Sequence, residues 1–133
     1  MSVMIQAHMQ VAEIYSTLSK ARRLQVGAIV VKDNRVISIG YNGMPSGWDN
    51  NCEDENFKSK PEVLHAETNA IAKLARSTDS GLGASMFITH APCLDCAKLI
   101  YQSGISNVYY RNAYREKTGV EFLLKSGVEV EQI

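Results

Sequence analysis

The chain has 133 residues, close to the commonest size for one domain and enough to bury a hydrophobic core. We therefore expect a single domain over residues 1–133. Fourteen basic residues balance fourteen acidic ones, so the composition lacks the basic excess typical of nucleic-acid-binding proteins. No apolar run reaches the roughly 18–20 residues that span a membrane, and the N-terminus has no signal-peptide pattern. These features predict a cytoplasmic protein that binds neither nucleic acid nor a membrane.

The apolar pattern predicts helices and strands in the order α-β-β-α-β-α-β-α-β. Residues 4–20 carry apolar side chains at steps of three and four, which is typical of an amphipathic helix. Asp33-Asn34 supplies turn residues between two apolar strands, so we expect a hairpin there. The predicted strands are 26–31, 35–41, 85–89, 106–110 and 128–130, and the later helices are 63–76, 93–103 and 118–125. Strands that alternate with helices indicate an α/β fold, with a partly parallel sheet and helices on its faces.

A polar, irregular segment covers residues 42–61, which include several glycine, proline, asparagine and aspartate residues. Twenty residues without regular structure are unusual in so small a domain. Long loops of this kind are usually functional. The sequence therefore predicts that this segment contributes to a site.

Two short motifs offer metal ligands at the predicted helix starts. His65-Ala66-Glu67 stands 28 residues before Cys93, which begins the run Cys93-Leu94-Asp95-Cys96. Thiolate and imidazole are the ligands that zinc prefers, and a helix N-terminus favours the thiolate form. We predict that His65, Cys93 and Cys96 bind one zinc ion.

The number of ligands separates a structural zinc site from a catalytic one. A structural site closes with four protein ligands, whereas a catalytic site keeps one position for water. Cys52 and His90 are the other candidates for a fourth ligand. The position of neither residue in the sequence requires it to bind the metal. We expect three protein ligands and an open position.

Glu67 is two residues from the ligand histidine and is not needed as a ligand. At a helix start this spacing lets the carboxylate reach a water bound at the metal and move its protons. His-x-Glu followed by Pro-Cys-x-x-Cys is the pattern of the zinc-dependent deaminases. The sequence therefore predicts a hydrolytic deaminase in which Glu67 is the catalytic residue.

Further blocks of the sequence resemble the deoxycytidylate (dCMP) deaminases, enzymes that convert dCMP to dUMP. Two blocks narrow the resemblance from zinc deaminases in general to the dCMP deaminases. They are Gly-Tyr-Asn-Gly-Met-Pro at 40–45 and Asn-Ala-Tyr-Arg at 112–115. The other matching stretches are 26–28, 63–71 and 92–100. This resemblance covers nearly the whole chain, and it implies a three-layer α/β/α cytidine-deaminase-like fold with a five-stranded mixed sheet.

The resemblance also implies how a nucleotide is held. A nucleoside monophosphate carries a charge near −2, for which a guanidinium group is a well-shaped partner. Arg22 and Arg23 precede the first strand and Arg115 follows the fourth, where strand ends can face one crevice. By resemblance, Arg23 and Arg115 hold the phosphate, Asn42 bonds the sugar, Tyr114 stacks near the nucleotide and Ala66 also binds substrate.

Relatives of this kind are commonly hexamers controlled by nucleoside triphosphates. In that family dCTP activates and dTTP inhibits, through a separate magnesium-dependent site. The glycine-containing segment 43–49 resembles the part that binds the effector, since glycines let backbone N–H groups approach phosphates. The effector residues implied are Gly43, Met44, Pro45, Gly47 and Asp49.

Three other interpretations of the motifs remain open. The substrate of a zinc deaminase could instead be free cytidine, guanine or tRNA adenosine, although balanced charge disfavours tRNA and the arginines disfavour a neutral nucleoside. A non-catalytic zinc domain would have no use for Glu67. A cysteine redox protein would have no use for His65-Ala66-Glu67.

Overall fold

The computed structural model describes residues 2–114 and 116–133, so the predicted phosphate ligand Arg115 lies outside the described residues. Its helices are α1 (Val3–Ser16), α2 (Ala66–Ala75), α3 (Leu94–Gln102) and α4 (Thr118–Lys125). Its strands are β1 (Gly27–Lys32), β2 (Arg35–Tyr41), β3 (Ser85–His90), β4 (Asn107–Asn112) and β5 (Glu129–Gln132). Every predicted element is present, in the predicted order. None of the helices in the described part of the chain is long and apolar enough to cross a membrane.

The five strands form one mixed sheet in the order β2-β1-β3-β4-β5. Strand β1 is antiparallel to both β2 and β3, whereas the β3–β4 and β4–β5 pairs are parallel. The β1–β2 hairpin turns at Asp33 and Asn34, whose φ angles are 51° and 61°. Left-handed conformations at both central residues match the right-handed twist of a hairpin. The predicted hairpin is confirmed.

Helices cover both faces of the sheet. Met9 and Ala12 of α1 pack on one face, in a buried cluster with Ile29, Val31 and Phe87. The opposite face carries a larger cluster that includes side chains of α2, α3 and α4. Its helical members are Ala66, Ala70, Leu74, Ala97, Ile100 and Leu123. The predicted three-layer α/β/α fold with a five-stranded mixed sheet is confirmed.

The predicted boundaries differ from the observed ones by up to four residues, and three of these differences have a local reason. Helix α1 ends at Ser16 and not at residue 20, because the Ser16 hydroxyl bonds back to the Glu13 carbonyl at 2.6 Å. Helix α2 begins at Ala66 and not at residue 63, because Leu64 exchanges two backbone hydrogen bonds with Gly43. Strand β5 begins after Val128, whose N–H still bonds a carbonyl of α4.

Gly40 lets α2 lie close to the end of β2. A Cβ at this position would overlap the carbonyl oxygen of Ala66 and crowd the backbone N of Ala70, at 2.6 Å. Both atoms belong to the first turns of α2. Because Gly40 has no side chain, the start of α2, which carries His65 and Glu67, can lie directly against β2.

Candidate active site

The three predicted ligand side chains meet between the starts of α2 and α3. Nδ1 of His65 lies 3.2 Å from Sγ of Cys96 and 3.6 Å from Sγ of Cys93. The ligand atoms of all three residues lie within 4.8 Å of one another. The structure thus brings together the His and Cys residues that the sequence predicts as metal ligands.

The spacing of these atoms fits a zinc ion. Tetrahedral zinc with Zn–S near 2.3 Å and Zn–N near 2.0–2.1 Å places a nitrogen and a sulfur ligand roughly 3.5 Å apart. The two N···S distances at His65 lie on either side of that value. A donor set of one imidazole and two thiols is also the set that zinc prefers.

Backbone geometry at the two helix starts aims the ligands at one point. His65 is the N-cap of α2 and Cys93 is the N-cap of α3, both with extended backbone. Cys96 follows in the first turn of α3. Because the first N–H groups of each helix point outward with partial positive charge, this geometry favours thiolates and other anions between the two helices.

Gly119, which the sequence argument did not single out, supports the start of α3. A Cβ at this buried residue would overlap the carbonyl oxygen of Pro92 and crowd the Cys93 carbonyl group, at 2.9 Å. The first turn of α4 therefore lies directly against the loop that presents Cys93. A glycine just inside a predicted helix was the only sequence signal for this contact.

Close contact among the ligands shifts their pKa values in opposite directions. The hydrogen bonds with Cys96 and then with His65 lower the pKa of the Cys93 thiol to about 4. The hydrogen bond with Cys93, followed by burial, raises the pKa of Cys96. The hydrogen bond with Cys93 also raises the pKa of His65. A cluster that readily holds a thiolate beside an imidazole suits a divalent cation.

Glu67 lies in the first turn of α2, and its side chain points into the protein. The residue is 4% exposed, and burial raises the pKa of its carboxyl to about 7. It lines the same cavity as His65 and Cys93. The carboxyl therefore stands next to the ligand group without belonging to it.

Cys52 and His90, the other candidates for a fourth ligand, are outside the ligand group found among the described residues. Cys52 is buried, its thiol bonds the Asn50 carbonyl at 3.4 Å, and burial raises its pKa. Nδ1 of His90 lies 3.1 Å from the Thr89 hydroxyl, and burial lowers the His90 pKa. Among the described residues, the candidate ligand group therefore has three members, His65, Cys93 and Cys96.

A cavity of about 710 Å³ opens beside the ligand group. The segment before β1, the loop after β2, the start of α2 and the ends of β3 and β4 contribute its walls. The predicted site residues on these walls are Arg23, Asn42, His65, Ala66, Glu67, Cys93 and Tyr114. The volume falls in the range of small-molecule sites.

The side chain of Asn42 is held by the backbone of the neighbouring segment. Its Oδ1 accepts the Val26 N–H at 2.8 Å, and its Nδ2 donates to the Leu24 carbonyl at 2.8 Å. An amide side chain has two N–H donors and two acceptor positions, so one of each remains available to a ligand. Asn42 is therefore fixed in orientation at the cavity wall.

The two arginines before β1 have different surroundings. Nε of Arg22 donates to Oε1 of Glu53 at 3.2 Å, and its guanidinium lies over the Phe57 ring. Arg23 lines the cavity, and no ion pair to its guanidinium is found in residues 2–114 and 116–133. The structure thus separates a paired arginine from one that is available to an anion.

None of residues 43–49, the predicted effector segment, lines the cavity. Gly47 has a φ of +87°, and the carboxylate of Asp49 accepts the Asn51 N–H at 2.8 Å. Gly43 pairs with Leu64 through two backbone hydrogen bonds. Met44 and Pro45 are half-buried, and residues 46–50 are exposed.

Comparison with known proteins identifies the family. Residues 2–112 match the model of the cytidine and deoxycytidylate deaminase zinc-binding region, and the chain belongs to this family. The predicted deaminase fold and family resemblance are therefore confirmed.

Several deoxycytidylate deaminases are similar over most of the chain. The crystal structure of dCMP deaminase from the cyanophage S-TIM5 in complex with dCMP and dUMP has a TM-score of 0.96 and 47% sequence identity, covering 100% of this chain and 99% of that chain. Human deoxycytidylate deaminase is 42% identical over 110 residues, 77% of this chain and 61% of the human protein. Deoxycytidylate deaminase of Enterobacteria phage T4 is 33% identical over 166 residues, 92% of this chain and 86% of the phage protein.

Proposed function

We propose that the chain, working as one domain over residues 1–133, hydrolyses dCMP to dUMP and ammonia. The observation that carries this proposal is the combination of a zinc-type ligand group, the buried Glu67 beside it and Arg23 on one cavity wall, with no ion pair to Arg23 in the described part of the chain. The first two features fit hydrolytic deamination, and the third fits a substrate with a phosphate group. The similarity to proteins named dCMP deaminase supports the same substrate.

The chemistry replaces the exocyclic amine of cytosine by an oxygen from water. His65, Cys93 and Cys96 would hold a zinc ion, which would supply the Lewis acidity that makes water nucleophilic at neutral pH. The carboxylate of Glu67 takes a proton from the attacking water and delivers it to the ring nitrogen. It then takes the remaining proton from the added hydroxyl, as the C=O bond forms, and passes it to the amine, which leaves as ammonia.

The cavity walls orient the nucleotide for this step. Asn42 offers one N–H and one acceptor position to the sugar, and its orientation is already set by Val26 and Leu24. Ala66 lines the cavity at the first position of α2, where a backbone N–H has no partner within the helix. Tyr114 lies on the wall where an aromatic ring can pack against the nucleotide.

Arginine side chains hold the phosphate in this proposal. Arg23 lines the cavity, and Arg115 joins it by the sequence resemblance. A phosphate buried against a guanidinium is stabilised by charge-assisted hydrogen bonds, which a neutral nucleoside cannot form. The site should therefore prefer dCMP to deoxycytidine.

The test compares three substrates with zinc-loaded protein. The loss of cytosine absorbance is followed with dCMP, deoxycytidine and CMP, and kcat/KM is determined for each. We expect a preference for dCMP over deoxycytidine. Equal turnover of these two compounds would contradict the phosphate assignment, and no turnover of any cytosine compound would contradict the enzyme activity.

We further propose control by nucleoside triphosphates at residues 43–49. The segment does not line the cavity and includes Gly47 with its positive φ, which suits close approach of backbone N–H groups to a phosphate. By resemblance, dCTP with Mg²⁺ activates and dTTP inhibits a homohexamer that supplies dUMP for dTMP biosynthesis. Activity against dCMP concentration with each effector, and mass by sedimentation, test this proposal. Absence of any effector response would contradict it.

A cytoplasmic location completes the proposed function. All three cysteines are free thiols. The metal site needs Cys93 and Cys96 as reduced thiolates, which the reducing cytosol preserves. Fractionation of cells that express the protein tests this location.

A further inference from the structure

We propose that Glu53 is a positioning residue for substrate phosphate, because it fixes the backbone at Arg22 and Arg23 so that Arg23 faces the cavity. This inference rests on the proposed function, since it concerns how dCMP is distinguished from deoxycytidine. Glu53 takes no part in the chemistry described above. It lies in the polar segment 42–61, which the sequence predicts to contribute to a site.

The side-chain hydrogen bonds of Glu53 all go to Arg22 and Arg23. Its Oε2 accepts the backbone N–H of Arg22 at 3.0 Å and that of Arg23 at 3.2 Å. Its Oε1 accepts Nε of Arg22 at 3.2 Å. The residue is 1% exposed, so these three donors replace the water that a carboxylate would otherwise bind.

The pKa of Glu53 agrees with a tightly held carboxylate. Burial alone would raise this pKa, but the N–H groups of Arg23 and Arg22 and the Arg22 side chain outweigh burial and lower it. Glu53 therefore stays ionised at neutral pH and keeps both oxygens as acceptors. Protonation does not interrupt its contact with the Arg22–Arg23 backbone.

A closed turn fixes the backbone of Glu53 itself. Glu53 pairs with Ser59 in an isolated antiparallel bridge, and the Lys60 N–H bonds the Cys52 carbonyl at 2.8 Å. Within the turn the Asp54 N–H bonds the Lys58 carbonyl at 2.7 Å. Because both ends of this turn are tied, Glu53 can hold the segment before β1 in a defined position.

The two arginines differ in how their side-chain charges are used, and this difference favours binding of an anionic ligand. The guanidinium of Arg22 pairs with the Glu53 carboxylate, whereas Arg23 meets Glu53 only through its backbone N–H. Glu53 and Arg23 both line the cavity. The positive charge of Arg23 thus remains available to a phosphate, and Arg22 offsets the negative charge of the nearby carboxylate.

Variants at Glu53 separate positioning from a merely structural role. In Glu53→Ala both backbone N–H groups lose their acceptor, so we expect KM for dCMP to rise by about ten-fold, with kcat and deoxycytidine turnover little changed. In Glu53→Gln one amide oxygen still accepts both N–H groups, so KM should stay near that of the wild type. Glu55→Ala removes an exposed acid from the same loop and is the matched control.

A double-mutant cycle with Arg23→Ala tests whether Glu53 acts through Arg23. The readout is the ratio of kcat/KM for dCMP to that for deoxycytidine. Glu53→Ala should lower this ratio in the wild-type protein and leave it unchanged in the Arg23→Ala protein, since coupled residues are not additive. If Glu53→Ala does not fold, Glu53→Asp serves, because its carboxylate is one methylene too short to reach both N–H groups.

The possible results either support or overturn the inference. Equal losses of kcat/KM with dCMP and with deoxycytidine in the Glu53→Ala protein would overturn it. Independent effects of Glu53→Ala and Arg23→Ala, whose fold-changes in kcat/KM multiply in the double variant, would overturn it as well. So would a Glu53→Gln protein as defective as Glu53→Ala. A wild-type protein that turns over deoxycytidine as well as dCMP would overturn the proposed function itself, which is a distinct result.

Discussion

Nδ1 of His65 lies 3.2 Å from Sγ of Cys96, although 31 positions separate the two residues in the sequence. One residue caps α2 and the other lies in the first turn of α3, so two helix starts must meet for the contact to form. Both helices pack on the same face of the sheet. The fold therefore brings the three side chains together, and the metal content of variants tests whether they bind zinc.

Cys96→Ser should yield folded protein with less than one equivalent of zinc, because a serine hydroxyl is a poor ligand compared with a thiolate. Zinc content after dialysis, measured by elemental analysis, checks this expectation. Cys52→Ser is the matched control, since Cys52 is also a buried cysteine and lies outside the ligand group found among the described residues. Zinc loss in the Cys52→Ser protein would show that Cys52 is a ligand.

Local sequence was enough to predict the elements and to single out three side chains that meet in the fold. Periodicity predicted every helix and strand, and the spacing of His65, Cys93 and Cys96 predicted ligands that the structure brings together. These inferences succeeded because helix starts and Cys-x-x-Cys spacing are properties of neighbouring residues.

Contacts between distant segments could not be read from local sequence. Glu53 meets Arg22 across 31 positions, and Gly119 meets Pro92 across 27, because the fold places segments that are distant in the sequence side by side. A glutamate in a polar loop, or a glycine in a helix, has many more ordinary explanations. The predicted end of α1 was also wrong, since the Ser16 hydroxyl bonds a carbonyl of the helix. The predicted start of β5 was wrong because the strand begins only after the turn at Gly127.

Glu67→Gln should retain zinc, and its kcat should fall by a factor of at least ~10². The amide keeps the shape of the side chain but cannot take the proton from water. Zinc analysis and steady-state kinetics with dCMP check both parts. Glu62→Gln, an exposed change just before α2, should keep full activity. Loss of zinc from the Glu67→Gln protein would instead identify Glu67 as a ligand.

Gly119→Ala should destabilise the fold by about 1–3 kcal/mol and weaken zinc binding, because the new Cβ would push the Pro92–Cys93 loop away from α4. Urea unfolding and competition with a zinc chelator measure the two effects. Thr118→Ala changes the adjacent exposed residue and adds no atom, so its unfolding free energy should stay within about 0.5 kcal/mol of the wild type. Normal zinc affinity in Gly119→Ala would show that Gly119 does not support the ligand loop.

The stability that Glu53 contributes should depend on pH. Its pKa in the folded protein lies below the ordinary value of 4.5, since the backbone N–H groups and the Arg22 side chain outweigh the effect of burial. A carboxyl with a lowered folded pKa stabilises the protein above its unfolded pKa, and this contribution is lost as the pH falls through the folded pKa. Wild-type protein should therefore exceed Glu53→Gln in unfolding free energy at pH 7, and this difference should shrink once the pH falls below 4.5.

Urea unfolding of both proteins at pH 7, pH 5 and pH 4 measures that difference, with Glu55→Gln as the control for the loss of one exposed acidic charge. The control should differ little from the wild type at any of these values, because Glu55 is exposed and exposed charges contribute little to stability. A difference between wild type and Glu53→Gln that grows as the pH falls would mean that the folded pKa of Glu53 is raised, which would contradict the hydrogen bonds assigned to it.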